Sequence, residues 1–201
     1  MIIDQVILHN WQPYYGRGSK DSSKFDFTPK KSKSTNSAIL YGENTQGKSS
    51  FWEAIRFAMY GAVPITDSTD KPLISYELSD RPLLNTEAYE NGDYLFSVQI
   101  LFRHGGEEFA LTRGYDCKKT VAHPRQDHEM EETLTIQNLS KGGKLDLDPQ
   151  RFINEILPEN LVNFFMFDGE RIEDYKNLLW KVDEIVLVDD IEKILRLTMF
   201  S

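Results

Sequence analysis

The chain has 201 residues, 40 % of them hydrophobic and 27 % charged, a balance that suits one soluble domain with a sizeable core and excludes a fibrous repeat or global disorder. A formal net charge of −9 argues against a surface that tracks nucleic acid throughout. A single cysteine, Cys117, excludes an internal disulfide and a Cys-based zinc site within the chain.

In chain order, residues 2–8 alternate and are rich in Ile and Val, which predicts a strand beginning near the N-terminus. No basic segment with a long apolar stretch follows Met1, and no apolar run approaches the ~20 residues that cross a bilayer. A soluble, cytoplasmic protein without membrane contact is expected. After a polar stretch over 10–23 comes a short strand at 25–27, then an apolar run at 37–41 that reads as a buried strand ending at Gly42. Phe51, Ala54, Ile55, Ala58 and Met59 fall at helical spacing and predict a helix over 48–59.

Residues 61–70 read as an exposed loop, 72–78 as a short helix and 82–88 as irregular. Two alternating runs at 94–102 and 108–113, separated by His104, Gly105 and Gly106, predict a β-hairpin. A charged stretch over 116–131 precedes a strand at 133–138 and a Gly-containing turn at 141–144. A helix with Pro149 near its start covers 149–157, an apolar strand 161–167, and two helical segments, from 170 and from 189, close the chain. The basic runs at Lys30, Lys31 and Lys33 and at Lys118, Lys119, His123 and Arg125 read as solvated loops in preference to DNA contacts. The four histidines lack the spacing of a metal site.

The strongest chemical signal lies between the apolar run and the first helix. Gly42, Glu43, Asn44, Thr45, Gln46, Gly47, Lys48 and Ser49 fit G-x-x-x-x-G-K-[ST] in full. In this pattern successive backbone N–H groups curl around phosphate oxygens and the following helix turns its positive end toward them. The glycines allow backbone angles and approaches that a Cβ would obstruct. Lys48 would reach the β- and γ-phosphates of ATP, and the Ser49 hydroxyl would ligate Mg²⁺. A second acidic site stands where the run 164–167 ends at Asp168, Gly169 and Glu170. Asp168 reads as a helix cap, as a Walker-B-type carboxylate with Glu170 polarising water, or as a sensor of γ-phosphate and metal.

Asn10 and Trp11 after the first strand, the phosphate loop with Asn44 third, Leu84 and Asn85 before Glu87 and Ala88, and the Phe-rich run into Asp168, Gly169 and Glu170 together resemble the DndD family of DNA sulfur modification proteins. These are SMC-like ATPases of the ABC-type head class. The resemblance implies an α/β fold: the N-terminal lobe of an ABC/SMC-type head, with mixed and antiparallel sheet around the phosphate-loop helix. It spans 1–201 as one half-domain, with 189–201 leading toward a coiled coil. It further implies ATP and Mg²⁺ as ligands, with residues 42–49, Ser50 and the loop carrying Asn10, Trp11 and Gln12 at the nucleotide, and Ser49 and Asp168 at the metal. Lys48, Asp168 and Glu170 would be the chemically active set. The implied partners are the C-terminal half of the same head or a second head, paired by ATP, with other modification subunits and DNA in the parent complex. Thr45 stands where the family commonly has Gly, and Gln12 where related heads often have a basic residue. The residues alone leave two alternatives open: a self-sufficient P-loop NTPase or kinase using Asp168 and Glu170, and a non-catalytic interaction module.

Overall fold

Strand alternation organises the described part of the chain. In the computed structural model residues 1–16, 22–28, 38–43, 47–61, 83–117, 131–145 and 147–158 are described. Contacts divide the chain into two compact units, one of Met1–Val63 with Glu77–Pro149 and one of Pro64–Tyr76 with Gln150–Ser201.

In the first unit β1 (Ile2–His9) and β2 (Ser23–Asp26) precede α1 (Lys48–Tyr60), and α2 (Thr86–Glu90), β3 (Leu95–His104), β4 (Glu107–Asp116), β5 (Glu131–Asn138) and β6 (Gly143–Lys144) follow. The strands form one sheet in the order β2-β1-β3-β4-β5-β6, and every pair is antiparallel. Of the expected mixed and antiparallel sheet, the described residues show the antiparallel part. The predicted hairpin is present: β3 and β4 pair from Leu95 with Asp116 to His104 with Glu107. Gly105 and Gly106 close it at φ 60° and 85°, the pair of positive angles that a two-residue turn needs to match strand twist.

Period two sorts the side chains. Val6 and Leu8 of β1, Phe96, Val98, Ile100 and Phe102 of β3, and Leu111 and Tyr115 of β4 are buried. The helix α1 buries Phe51, Ala54, Phe57 and Ala58 and packs on β3 and β4. Trp11 lies at the centre, its ring centroid 4.7 Å from that of Phe57 and 5.9 Å from that of Phe96, and Tyr115 stacks on Phe96 at 5.6 Å. Each such aromatic removes enough apolar surface from water to be worth roughly 1.5–3 kcal/mol.

Two segments differ from their sequence expectation. Residues 38–41 form no strand, and Ile39 and Tyr41 are 92 % and 97 % exposed. An apolar run states a need for burial but not the neighbour that provides it. The segment 82–88, read as irregular, contains the start of α2, whose N-cap Asn85 accepts from the Ala88 N–H at 3.0 Å.

In the second unit α3 (Pro149–Ile156) begins at the predicted proline and carries an Arg151–Glu155 pair at 3.2 Å, one turn apart. The predicted elements at 72–78, 161–167 and beyond 170 lie outside the described residues. Among those described, no helix is long and apolar enough to cross a membrane.

Candidate nucleotide site

The start of α1 is built on a glycine for a steric reason. Gly47, the N-cap, has φ 89° and ψ 6°, the left-handed region that side chains disfavour. A Cβ there would also stand 3.0 Å from Tyr14 Oη and 3.1 Å from Pro13 Cγ. Phe51 N–H donates to Gly47 O at 2.8 Å, which opens the helix. Geometry leaves the N–H groups of Lys48, Ser49 and Ser50 without intrahelical acceptors. Gly47 has no side chain with which to cap them, and the first turn carries no acidic residue.

Lys48 folds back over the loop. Its Nζ donates to Gly42 O at 2.7 Å and to Glu43 O at 2.6 Å, so one ammonium ties the first residues of the G-x-x-x-x-G-K-S segment to its last turn. Ser49 is exposed and Ser50 is buried. Asn44, Thr45 and Gln46, with Asp168 and Glu170, lie outside the described residues.

The turn after β1 braces this region at three successive levels of α1. Tyr14 Oη donates to Gly47 O at 2.9 Å, Trp11 Nε1 to Ser50 O at 2.8 Å, and Gln12 Nε2 to Glu53 Oε2 at 2.8 Å. Asn10 and Gln12 hold φ of 48° and 47°, unusual for residues with a Cβ. Both are tied to the neighbouring segment. Asn85 N–H donates to Asn10 O, Gln12 N–H to Leu83 O, each at 2.8 Å, and Asn85 Nδ2 donates to Gln12 O at 2.6 Å.

Asn10 and Trp11 are fully buried. Asn10 Nδ2 donates to Asp93 Oδ2 at 2.8 Å and Leu95 O at 2.9 Å, and its Oδ1 accepts from Gly16 N–H at 3.2 Å. Gln12 Oε1 is buried without a hydrogen-bond partner among the described residues. Burial raises the Tyr14 hydroxyl above its usual pKa of 10, so it remains a donor through the neutral range.

Sequence reasoning named this loop but missed its grip on α1, because Tyr14 and Gly47 are 33 positions apart. It also missed Arg113. This buried residue of β4 donates from Nε to Ala58 O at 3.1 Å and from Nη2 to Met59 O at 3.3 Å, and pairs through Nη1 with Glu132. Strand parity was the available signal: Arg113 shares the inward phase of Leu111 and Tyr115, where a charge needs partners.

An antiparallel α/β unit thus presents a helix start without a side-chain cap among the described residues, an ammonium and an exposed hydroxyl on a G-x-x-x-x-G-K-S segment, the donor chemistry of a nucleotide-binding ATPase domain. A family model described as an AAA domain matches residues 5–198. The chain belongs to that family, which makes it an SMC-like ATPase domain. A comparison with curated proteins finds no match.

Proposed function

We propose that residues 42–49 hold the phosphates of ATP with Mg²⁺, and that the chain is the nucleotide-binding lobe of a head whose pairing with a complementary half or a second head depends on nucleotide. The observation that carries this reading is the return of Lys48 Nζ to Gly42 O and Glu43 O across a loop that matches the phosphate pattern. An ammonium resting on two neutral carbonyls gains Coulomb attraction when it exchanges them for anionic phosphate oxygens.

The donor set suits the ligand. The N–H groups of Lys48, Ser49 and Ser50 lack helical acceptors, and no carboxylate in the first turn of α1 repels an anion. Bound Mg²⁺ would neutralise charge between the β- and γ-phosphates, and the exposed Ser49 hydroxyl is its expected ligand from this segment. Asn10 and Trp11, buried and engaged, act through the turn they hold. Gln12, whose Oε1 is buried, likewise acts through its hold on Glu53. Asp168 would contribute to the metal as sensor or carboxylate, and Glu170 to orienting water.

A partner half would meet exposed apolar side chains just ahead of the loop, at Ile39 and Tyr41. The finer reading takes the parent machine as a DndD-like ATPase of DNA phosphorothioate modification, restriction or defence, working with other subunits on DNA. It rests on the resemblance set out above. With a net charge of −9 the chain alone would hold DNA weakly.

The test is calorimetric titration of the full chain with Mg²⁺·ATP and with inorganic pyrophosphate. Lys48→Ala should weaken both by roughly 10- to 100-fold, the value of a charge-assisted bond, with only a small drop in melting temperature from the two carbonyl bonds lost. Equal binding by the variant would end the phosphate reading. Brisk turnover by the isolated chain, abolished in Lys48→Ala, would instead favour a self-sufficient NTPase.

A further inference from the structure

We infer that Tyr14 is a positioning residue for phosphate binding, orienting the Lys48 main-chain N–H by holding the other end of the same peptide group. The inference rests on the proposed phosphate site. In a planar trans peptide the C=O of one residue and the N–H of the next point in opposite directions. Gly47 O is fixed from two sides, by Tyr14 Oη at 2.9 Å and by Phe51 N–H at 2.8 Å, filling both lone pairs. The Lys48 N–H is thereby aimed away from α1, back over the loop, the direction a phosphate acceptor requires.

Glycine at 47 leaves this peptide free to turn, because without a Cβ its backbone has alternatives close in energy. The tyrosine removes that freedom. Its ring is itself set, edge-on to Phe25 at 5.7 Å and 90°, and Phe25 leans on Phe51 of α1 at 4.5 Å. Its backbone N–H donates to Trp11 O at 2.8 Å, closing the turn that also reaches Ser50 and Glu53. The brace thus supplies donors to carbonyls of the first turn and leaves the N–H groups facing the ligand.

Tyr14→Phe keeps the ring and deletes only the donor. Gly47 O retains its bond from Phe51, so the unliganded melting temperature should be nearly unchanged. Affinity for pyrophosphate and for Mg²⁺·ATP should fall by the same factor, roughly two- to tenfold, as expected for one hydrogen bond. In the wild-type chain the Lys48 amide proton should shift strongly on adding pyrophosphate while the Gly47 carbonyl carbon stays in place; in Tyr14→Phe both should move. The proposal is overturned if Tyr14→Phe binds both ligands like the wild type, if it weakens ATP but not pyrophosphate, or if the wild-type Gly47 carbonyl moves as far as the Lys48 amide. Failure of the wild type itself to bind pyrophosphate would instead remove the phosphate site, a result read before any variant is made.

Discussion

At the C-terminal end of α1 the carbonyls of Ala58 and Met59 are taken by the buried guanidinium of Arg113, and Gly61 N–H closes on Phe57 O at 2.8 Å. At the N-terminal end, side chains again reach for carbonyls, Tyr14 to Gly47 and Trp11 to Ser50, while among the described residues no side chain caps the first N–H groups. A helix end needs acceptors at its start and donors at its finish. Among the described residues this helix is completed by side-chain donors at its finish, and its start is where the proposed phosphate site lies. If the proposed site is right, one 13-residue helix carries a stability element at one end and a binding element at the other, and substitutions at the two ends should divide the same way.

The largest loss of stability is expected from Arg113→Met. It strips donors from the last turn of α1 and leaves Glu132, 41 % exposed, to be rehydrated. Removing the hydrogen-bonding donors of a buried guanidinium costs about 1–3 kcal/mol, and thermal unfolding should drop by roughly 2–12 °C. Glu132→Gln, which alters only the more exposed partner, should cost less. If both variants melted with the wild type, the finish of α1 would not depend on this cation.

Alanine at each flanking glycine sharpens the contrast. Gly61 combines φ 80° with ψ −164°, a region essentially confined to glycine, and a Cβ would stand 2.8 Å from Arg113 Nη1. Gly61→Ala should destabilise by about 1–3 kcal/mol while the folded fraction still binds pyrophosphate as the wild type does. Gly47→Ala carries left-handed strain of about 1–2 kcal/mol and in addition presses on Tyr14 and Pro13. It should weaken pyrophosphate by at least tenfold, about 1.4 kcal/mol. Equal binding defects at the two glycines would erase the proposed division.

How far this was legible in advance depends on where each partner lies in the chain. β1, the β3–β4 hairpin and α1 announce themselves because period two, period 3.6 and Gly105-Gly106 are local signals. The G-x-x-x-x-G-K-S pattern is equally local. Residues 38–41 misled because an apolar run does not name its neighbour, and α2 was missed because five residues with an Asn85 cap carry little periodicity. The contacts that organise the two ends of α1 join positions far apart. Tyr14 meets Gly47 across 33 residues, and Arg113 meets Ala58 across 55. Strand parity could flag Arg113 as inward; nothing local could show that it meets a helix terminus.

Cys117 offers a reporter for the stabilised end. It follows β4, is fully buried, and burial followed by the Asp116 charge pushes its thiol up to about 12. Neither access nor thiolate is available near neutral pH, so a thiol reagent should label the wild type only as it opens. Arg113→Met should accelerate labelling, and saturating pyrophosphate should slow it in both proteins by ligand stabilisation. Fast labelling of the folded wild type would show that this end of β4 is more open than its burial implies.

The smallest effect belongs to a region remote from both ends. Hydrogen bonds from Lys141 and then Asn138 hold the Glu107 carboxyl below its usual 4.5, at the turn end of β4. A carboxylate with a depressed folded pKa contributes stability above its unfolded value and loses it as pH falls through the folded one. Melting temperature should therefore decline slightly as acid protonates Glu107, and Lys141→Met should flatten part of that decline. Pyrophosphate affinity at neutral pH should be untouched, because Glu107 and Lys141 share no contact with the brace or with residues 47–50. A binding change in Lys141→Met would mean that the phosphate site senses the far edge of the sheet, and the separation between the two ends of α1 would then be too simple.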